Sequence, residues 1–154
     1  MDCFHIVLSN HDVVFYTDNG LNVFMPIHAE YRGQVFPYSD WTDFVVPVIY
    51  QWIEEIRKRN DHYSLYFMDG PYRLDIQRNG NEFIIRGVNI NNPNRVVFEA
   101  ECFYRELLFQ LLNACKSLKN IIWAERMKLR NDDCSSLIEQ AQYYETIIRS
   151  MLAN

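Results

Sequence analysis

The strongest constraint on the fold of this chain is an apolar stripe between Trp41 and Ile56. Trp41, Phe44, Val45, Val48, Ile49, Trp52, Ile53 and Ile56 recur at alternating spacings of three and one. At 3.6 residues per turn this puts all eight side chains on one face of a helix, a face that needs a second layer to cover it. Ser39 or Asp40 is placed to cap the helix, because a short side-chain oxygen accepts from the free N–H groups of the first turn. Asp40 and Asp43 suit the positive end of the helix dipole, and Arg57, Lys58 and Arg59 suit the negative end. Pro47 lies inside the pattern, removes one backbone donor and predicts a bend.

Strand signals surround this helix. Residues 4–9 and 12–17 are rich in β-branched and aromatic residues, and Asn10-His11 between them predicts a tight hairpin. Asp18-Asn19-Gly20 reads as a turn, and a third strand is expected within 22–31, with Pro26 placing it at an edge or a bulge. Beyond the helix, residues 62–69, 72–78, 82–88 and 95–99 read as strands separated by Gly70-Pro71, Asn79-Gly80 and Asn91-Asn92-Pro93-Asn94. In 72–78 the alternation is clean, with Tyr72, Leu74 and Ile76 on one side and Arg73, Asp75 and Gln77 on the other. Asn79-Gly80 is the strongest hairpin signal and predicts a type I′ turn.

Helical periodicity returns over 101–124, and again after Asp132 or Asp133, either of which can cap a last helix. The expected fold is α+β: a mainly antiparallel sheet, one helix inserted between strand groups, and two C-terminal helices packed on the sheet. No repeat or linker interrupts residues 1–154, which are read as a single domain large enough to bury roughly 70% of its unfolded surface.

Charge is unevenly spread along the chain. Residues 1–56 hold eight acids and Arg32 alone as a base, residues 57–130 are net +5, and residues 131–154 are net −3. The total of −5 argues against a nucleic-acid partner. If folding keeps the early acids on one face, that face repels polyanions and attracts a cationic partner. No apolar run reaches the roughly 20 residues that cross a bilayer, so no membrane partner is expected. The Met1-Asp2-Cys3 start lacks the basic region of a signal peptide, so a cytoplasmic protein is expected, with Cys3, Cys102, Cys115 and Cys134 as four reduced thiols.

A search for chemistry returns little. His5, His11, His28 and His62 form no helical pair and no zinc-type spacing with a cysteine pair, so neither metal nor cofactor is expected. Phosphate-loop, dinucleotide and nucleophile-elbow patterns are absent from the sequence, which points away from an enzyme. Two other readings stay open: a small enzyme with a His/Cys/Asp cluster assembled only by folding, and an adaptor that associates through its C-terminal helices. Aromatic residues make up 15% of the chain, and tyrosine offers large contact area with few rotors. Tyr31 and Tyr38, with Asp12, Asp18, Glu30, Asp40 and Asp43, are the candidate contact residues.

Phe36-Pro37-Tyr38-Ser39-Asp40-Trp41-Thr42-Asp43-Phe44, followed by an apolar helix carrying Trp52, resembles a pattern of small bacterial immunity proteins of polymorphic or contact-dependent toxins. Leu65-Tyr66-Phe67-Met68-Asp69-Gly70-Pro71-Tyr72 extends the likeness, which covers about residues 36–112. Pro47 departs from the pattern. The resemblance implies a cytoplasmic, non-enzymatic inhibitor that occludes the active site of a cognate toxin domain, often a nuclease with a basic cleft. It carries over no binding residue.

Overall fold

A computed structural model of the chain describes residues 3–16 and 21–154. The five strands of the first sheet are β1 (His5–Leu8), β2 (Val14–Tyr16), β3 (Asn22–Tyr31), β4 (Gln34–Phe36) and β5 (Thr42–Phe44). Helix α1 (Val45–Arg57) follows. A second sheet is then built from β6 (His62–Tyr66), β7 (Tyr72–Asn79), β8 (Glu82–Asn89) and β9 (Asn92–Phe103). Two helices end the chain, α2 (Tyr104–Ala124) and α3 (Asn131–Ala153), with a short 3₁₀ turn at Arg126–Lys128 between them. The expected α+β class, the inserted helix and the two C-terminal helices are all present, and the strands form two antiparallel sheets.

The first sheet is organised around β3. Strands β1 and β4 flank its C-terminal half and β2 and β5 its N-terminal half, all antiparallel. The expected hairpin at Asn10-His11 does not form, because both early strands pair with β3 and not with each other. Leu8 faces Ile27 while Val14 faces Phe24, so the register breaks between them, beside Pro26. Pro26 therefore marks a change of partners along a central strand and not a sheet edge. The turn at Asp18-Asn19-Gly20 lies outside the described residues.

Two tight hairpins are present, and turn chemistry differs from expectation at the second. Tyr31 pairs with Gln34 across Arg32-Gly33, and both turn residues have positive φ (48° and 79°), the type I′ pattern. At the second hairpin Asn79 pairs with Glu82, so the loop is Gly80-Asn81. Positive φ falls on Gly80 alone, which is the type II′ pattern.

Helix α1 begins later than its apolar stripe. Thr42–Phe44 pair with Pro26–Phe24 as strand β5, and Trp41 precedes that strand. The helix starts at Val45 with no side-chain cap, so Ser39 and Asp40 do not cap it. This start places Pro47 third in the helix, where no intrahelical acceptor exists for an N–H, so the missing donor costs nothing and no bend is required. Val45, Val48, Ile49, Trp52, Ile53 and Ile56 remain the buried face, as their spacing predicts.

Buried side chains from both sheets and all three helices make one continuous cluster. Phe36 joins the sheets: its ring packs edge-on to Phe67 and Tyr72, tilts against Phe98, and lies over Gly87 of β8. The Gln34 side-chain amide adds a second link. It donates to the Glu99 carbonyl and accepts from the Glu99 N–H, each at 3.0 Å, copying one rung of strand pairing. Trp52 Nε1 of α1 donates to the Tyr66 carbonyl at 2.7 Å. The Gln110 side chain of α2 accepts from Ile6 N–H of β1 at 3.0 Å. Lys119 and Glu145 pair at 2.9 Å between α2 and α3. Among the described residues no helix is long and apolar enough to cross a membrane.

Two predictions follow from this packing. A Cβ added at Gly87 would lie 2.7 Å from the Phe36 ring. Gly87→Ala should therefore cost about 1–3 kcal/mol in urea unfolding, as overpacked sites do. All four cysteines are unpaired, and burial raises the Cys102 and Cys115 thiols from 9.0 to about 12. A thiol reagent at pH 8 should label half-buried Cys3 first and reach Cys102 and Cys115 only on unfolding. Because the folded state holds those two protons more tightly, stability should fall as pH rises from 9 to 12, read by thermal unfolding.

Candidate functional site

Asp43 sits at the junction of the two sheets and is fully enclosed, with 0% exposure. Its Oδ1 accepts from Phe44 N–H at 2.7 Å and Asp69 N–H at 3.1 Å. Its Oδ2 accepts from Met68 N–H at 2.9 Å and Trp41 Nε1 at 3.1 Å. One carboxylate thus holds the start of α1, the turn between β6 and β7, and the Trp41 indole. It faces inward because its cross-strand partner Met25 lies on the buried face of β3. The expected contact role of Asp43, like its role as a dipole partner on a helix, is corrected here: no partner surface can reach it.

With the turn so fixed, Trp41 lies over Gly70, where a Cβ would fall 2.5 Å from the indole. Tyr72, just past the turn, packs edge-on to Trp41 at 5.2 Å and to Tyr38 at 5.9 Å. The Tyr38 and Tyr72 hydroxyls share a hydrogen bond of 3.0 Å, which, with a smaller contribution from burial, raises the Tyr72 hydroxyl above the ordinary phenol range. Tyr38 and Tyr72 border a cleft of about 450 Å³ between the two sheets. Val35, Phe36, Pro37 and Tyr38 form one wall, and Tyr72 with Asn89, Asn91, Asn92, Arg95 and Val97 form the other. Side-chain amides, one guanidinium and two phenols give the cleft hydrogen-bonding capacity over an apolar floor, which suits recognition of a polar group.

The other sequence candidates scatter. Tyr38 is 55% exposed and borders this cleft. Tyr31 is 8% exposed, with the Arg32 guanidinium 5.1 Å from its ring, because it falls on the core-facing side of β3. It is thus removed as a free contact residue. Glu30 lies on the opposite side of that strand and pairs with His28 at 2.8 Å. Asp12 is exposed in the left-handed conformation ahead of β2, and Asp40 is exposed between β4 and β5. Asp18 lies outside the described residues.

Sequence reasoning missed Asn89, Asn91, Asn92 and Arg95. The run of asparagines reads equally as a turn, and no local signal places it beside Tyr38. A smaller hollow of about 260 Å³ is lined by Cys3, His5, Glu30 and the Arg32-Gly33 turn. His28 is enclosed behind it and does not line it. No group of three or more His, Cys, Asp or Glu able to hold a metal ion occurs among the described residues. On the helical side Trp123 and Tyr143 are exposed, Arg126 covers the Trp123 ring at 4.4 Å, and Tyr144 stacks on Tyr50 at 4.1 Å.

Asp43→Asn replaces an acceptor oxygen by a donor facing two N–H groups. It should cost about 3 kcal/mol or more in chemical unfolding. Exposed Asp40→Asn should stay within about 0.5 kcal/mol. Equal, small losses for both would show that the Asp43 bonds do not organise the fold. No family model matches the chain, and no curated protein or solved structure matches it either.

Proposed function

We propose that the protein works by contact, as an immunity-type inhibitor that binds a cognate toxin domain and occludes a basic active site. One observation carries the reading: the charge imbalance of the chain is confined to the segment that builds the first sheet. Residues 1–44, which supply all five strands of the first sheet, contain six acids and one base. The rest of the chain contains fourteen of each, so the whole excess of −5 lies in that stretch of sequence, where Asp43 is enclosed and Asp2 and Asp18 fall outside the described residues. Asp12, Glu30 and Asp40 present exposed carboxylates on it. Such a layer speeds encounter with a positively charged partner and rejects polyanions. Tyr38, held rigid by Tyr72, adds an aromatic contact of the kind that slows dissociation. The resemblance of about residues 36–112 to immunity proteins supports the same conclusion.

A second reading, a small enzyme, draws on the His28–Glu30 pair and the hollow beside Cys3 and His5. It is the weaker of the two, because the paired imidazole is enclosed and does not open into that hollow.

Mixed with the toxin domain encoded beside it, the purified protein should form a tight complex and abolish toxicity. The association rate should fall about tenfold or more between low salt and roughly 0.5 M salt, measured by stopped-flow. Absence of a complex, or a rate indifferent to salt, would count against the reading.

A further inference from the structure

Resting on the contact reading above, we propose that the toxin domain docks on the outer face of the first sheet, centred on Tyr16, Phe24 and Phe44. The two sides of β3 differ sharply. Val23, Met25, Ile27 and Ala29 are all fully buried beneath the helices. Phe24, Pro26, His28 and Glu30 alternate with them and point the other way; Pro26 and His28 are also buried, and Phe24 and Glu30 are partly exposed. Val14 and Phe44 are the cross-strand partners of Phe24, so they share its side. Tyr16 joins them by alternation along β2. The rings of Tyr16, Phe24 and Phe44 lie 5.0–6.3 Å apart, centroid to centroid. Tyr16 is nonetheless 48% exposed and Val14 42% exposed.

An aromatic cluster left partly open at one end of a sheet face, with charge at its margins, has the anatomy of a recognition surface. Its margins here are acidic. Glu30 lies on the same face, Asp12 leads into β2, and Asp40 lies in the connection leading into β5. That charge selects the occupant. A second copy of the chain, docked face to face, would bring two acid-rich layers together. A nucleic acid or an anionic membrane would be repelled in the same way. A protein domain with an apolar centre and a basic surround is the occupant that fits.

The test is a binding series with the toxin domain encoded beside the protein. Tyr16→Ala should weaken binding about 10- to 100-fold, and Val14→Lys about tenfold or more, chiefly by slowing association. Tyr38→Ala, in the cleft between the sheets, should cost less than either. Unchanged thermal unfolding of Val14→Lys and Tyr16→Ala confirms that each variant is folded. Hydrogen exchange of the complex should show new protection in Val14–Tyr16 and Thr42–Phe44. A wild-type complex with undiminished binding by both variants overturns this docking face and leaves the immunity reading standing. A larger loss for Tyr38→Ala than for Tyr16→Ala moves the centre to the cleft and also overturns it. Absence of any wild-type complex removes the immunity reading and this face with it. Self-association in analytical ultracentrifugation that Val14→Lys abolishes would show a second copy as the occupant, against the proposal.

Discussion

The Asp43 carboxylate is the point on which the arrangement of the two sheets depends. Its two oxygens each accept two N–H donors, drawn from three separate places in the chain. A buried carboxylate is tolerable only when its lone pairs are met, and here the donors that meet them are the ones that define the β5–α1 junction and the β6–β7 turn. The same bonds explain why Trp41 can lie flat over Gly70, where any side chain at residue 70 would collide with the indole. Tyr72 then follows the turn into the aromatic cluster, and Tyr38 is fixed by it.

Around that junction the sheets are joined by shape and by polar mimicry. Phe36 occupies the space that the absent side chain of Gly87 leaves open. Gln34 uses its amide to satisfy the N–H and C=O of Glu99 at the margin of the second sheet. A strand edge left open is a template for unwanted pairing, and closing this rung with a side chain blunts it. The outcome is a layered molecule in which the first sheet gives one face to the common core and leaves part of the other, at Val14 and Tyr16, exposed.

That layering gives the charge imbalance its meaning. All five strands of the first sheet come from the segment that holds the acidic excess, and Asp12, Glu30 and Asp40 keep solvent-accessible carboxylates in or beside those strands. The rings of Tyr16, Phe24 and Phe44 cluster on the side of that sheet away from Val23 and Met25, and on the proposed reading they supply contact area while the carboxylates supply selection. On the proposed reading the protein needs no reacting group of its own, since covering a positively charged cleft is sufficient to silence it.

Much of the architecture was legible in the residues. The alternation at Tyr72–Arg78, the apolar stripe of α1 and the periodicity of α2 reflect local geometry, because a period of 2 or 3.6 survives whatever the element packs against. The candidate site was far less legible. Asp43 and Asp40 are three residues apart and similar in kind, yet one is sealed behind four donors and the other is in water. Tyr31 and Tyr38 likewise part ways, because one falls on the core side of β3 and the other beyond β4. Only long-range pairing separates them: Thr42–Phe44 bind to β3 before the helix begins, which turns Asp43 inward, Phe44 outward and Pro47 into the first turn. The sequence by itself determined the class of fold, the order of its elements and the location of its charge. Tertiary structure alone decided which acids are sealed and which reach solvent, since that rests on strand register, and a shift of one residue exchanges the two faces of a sheet.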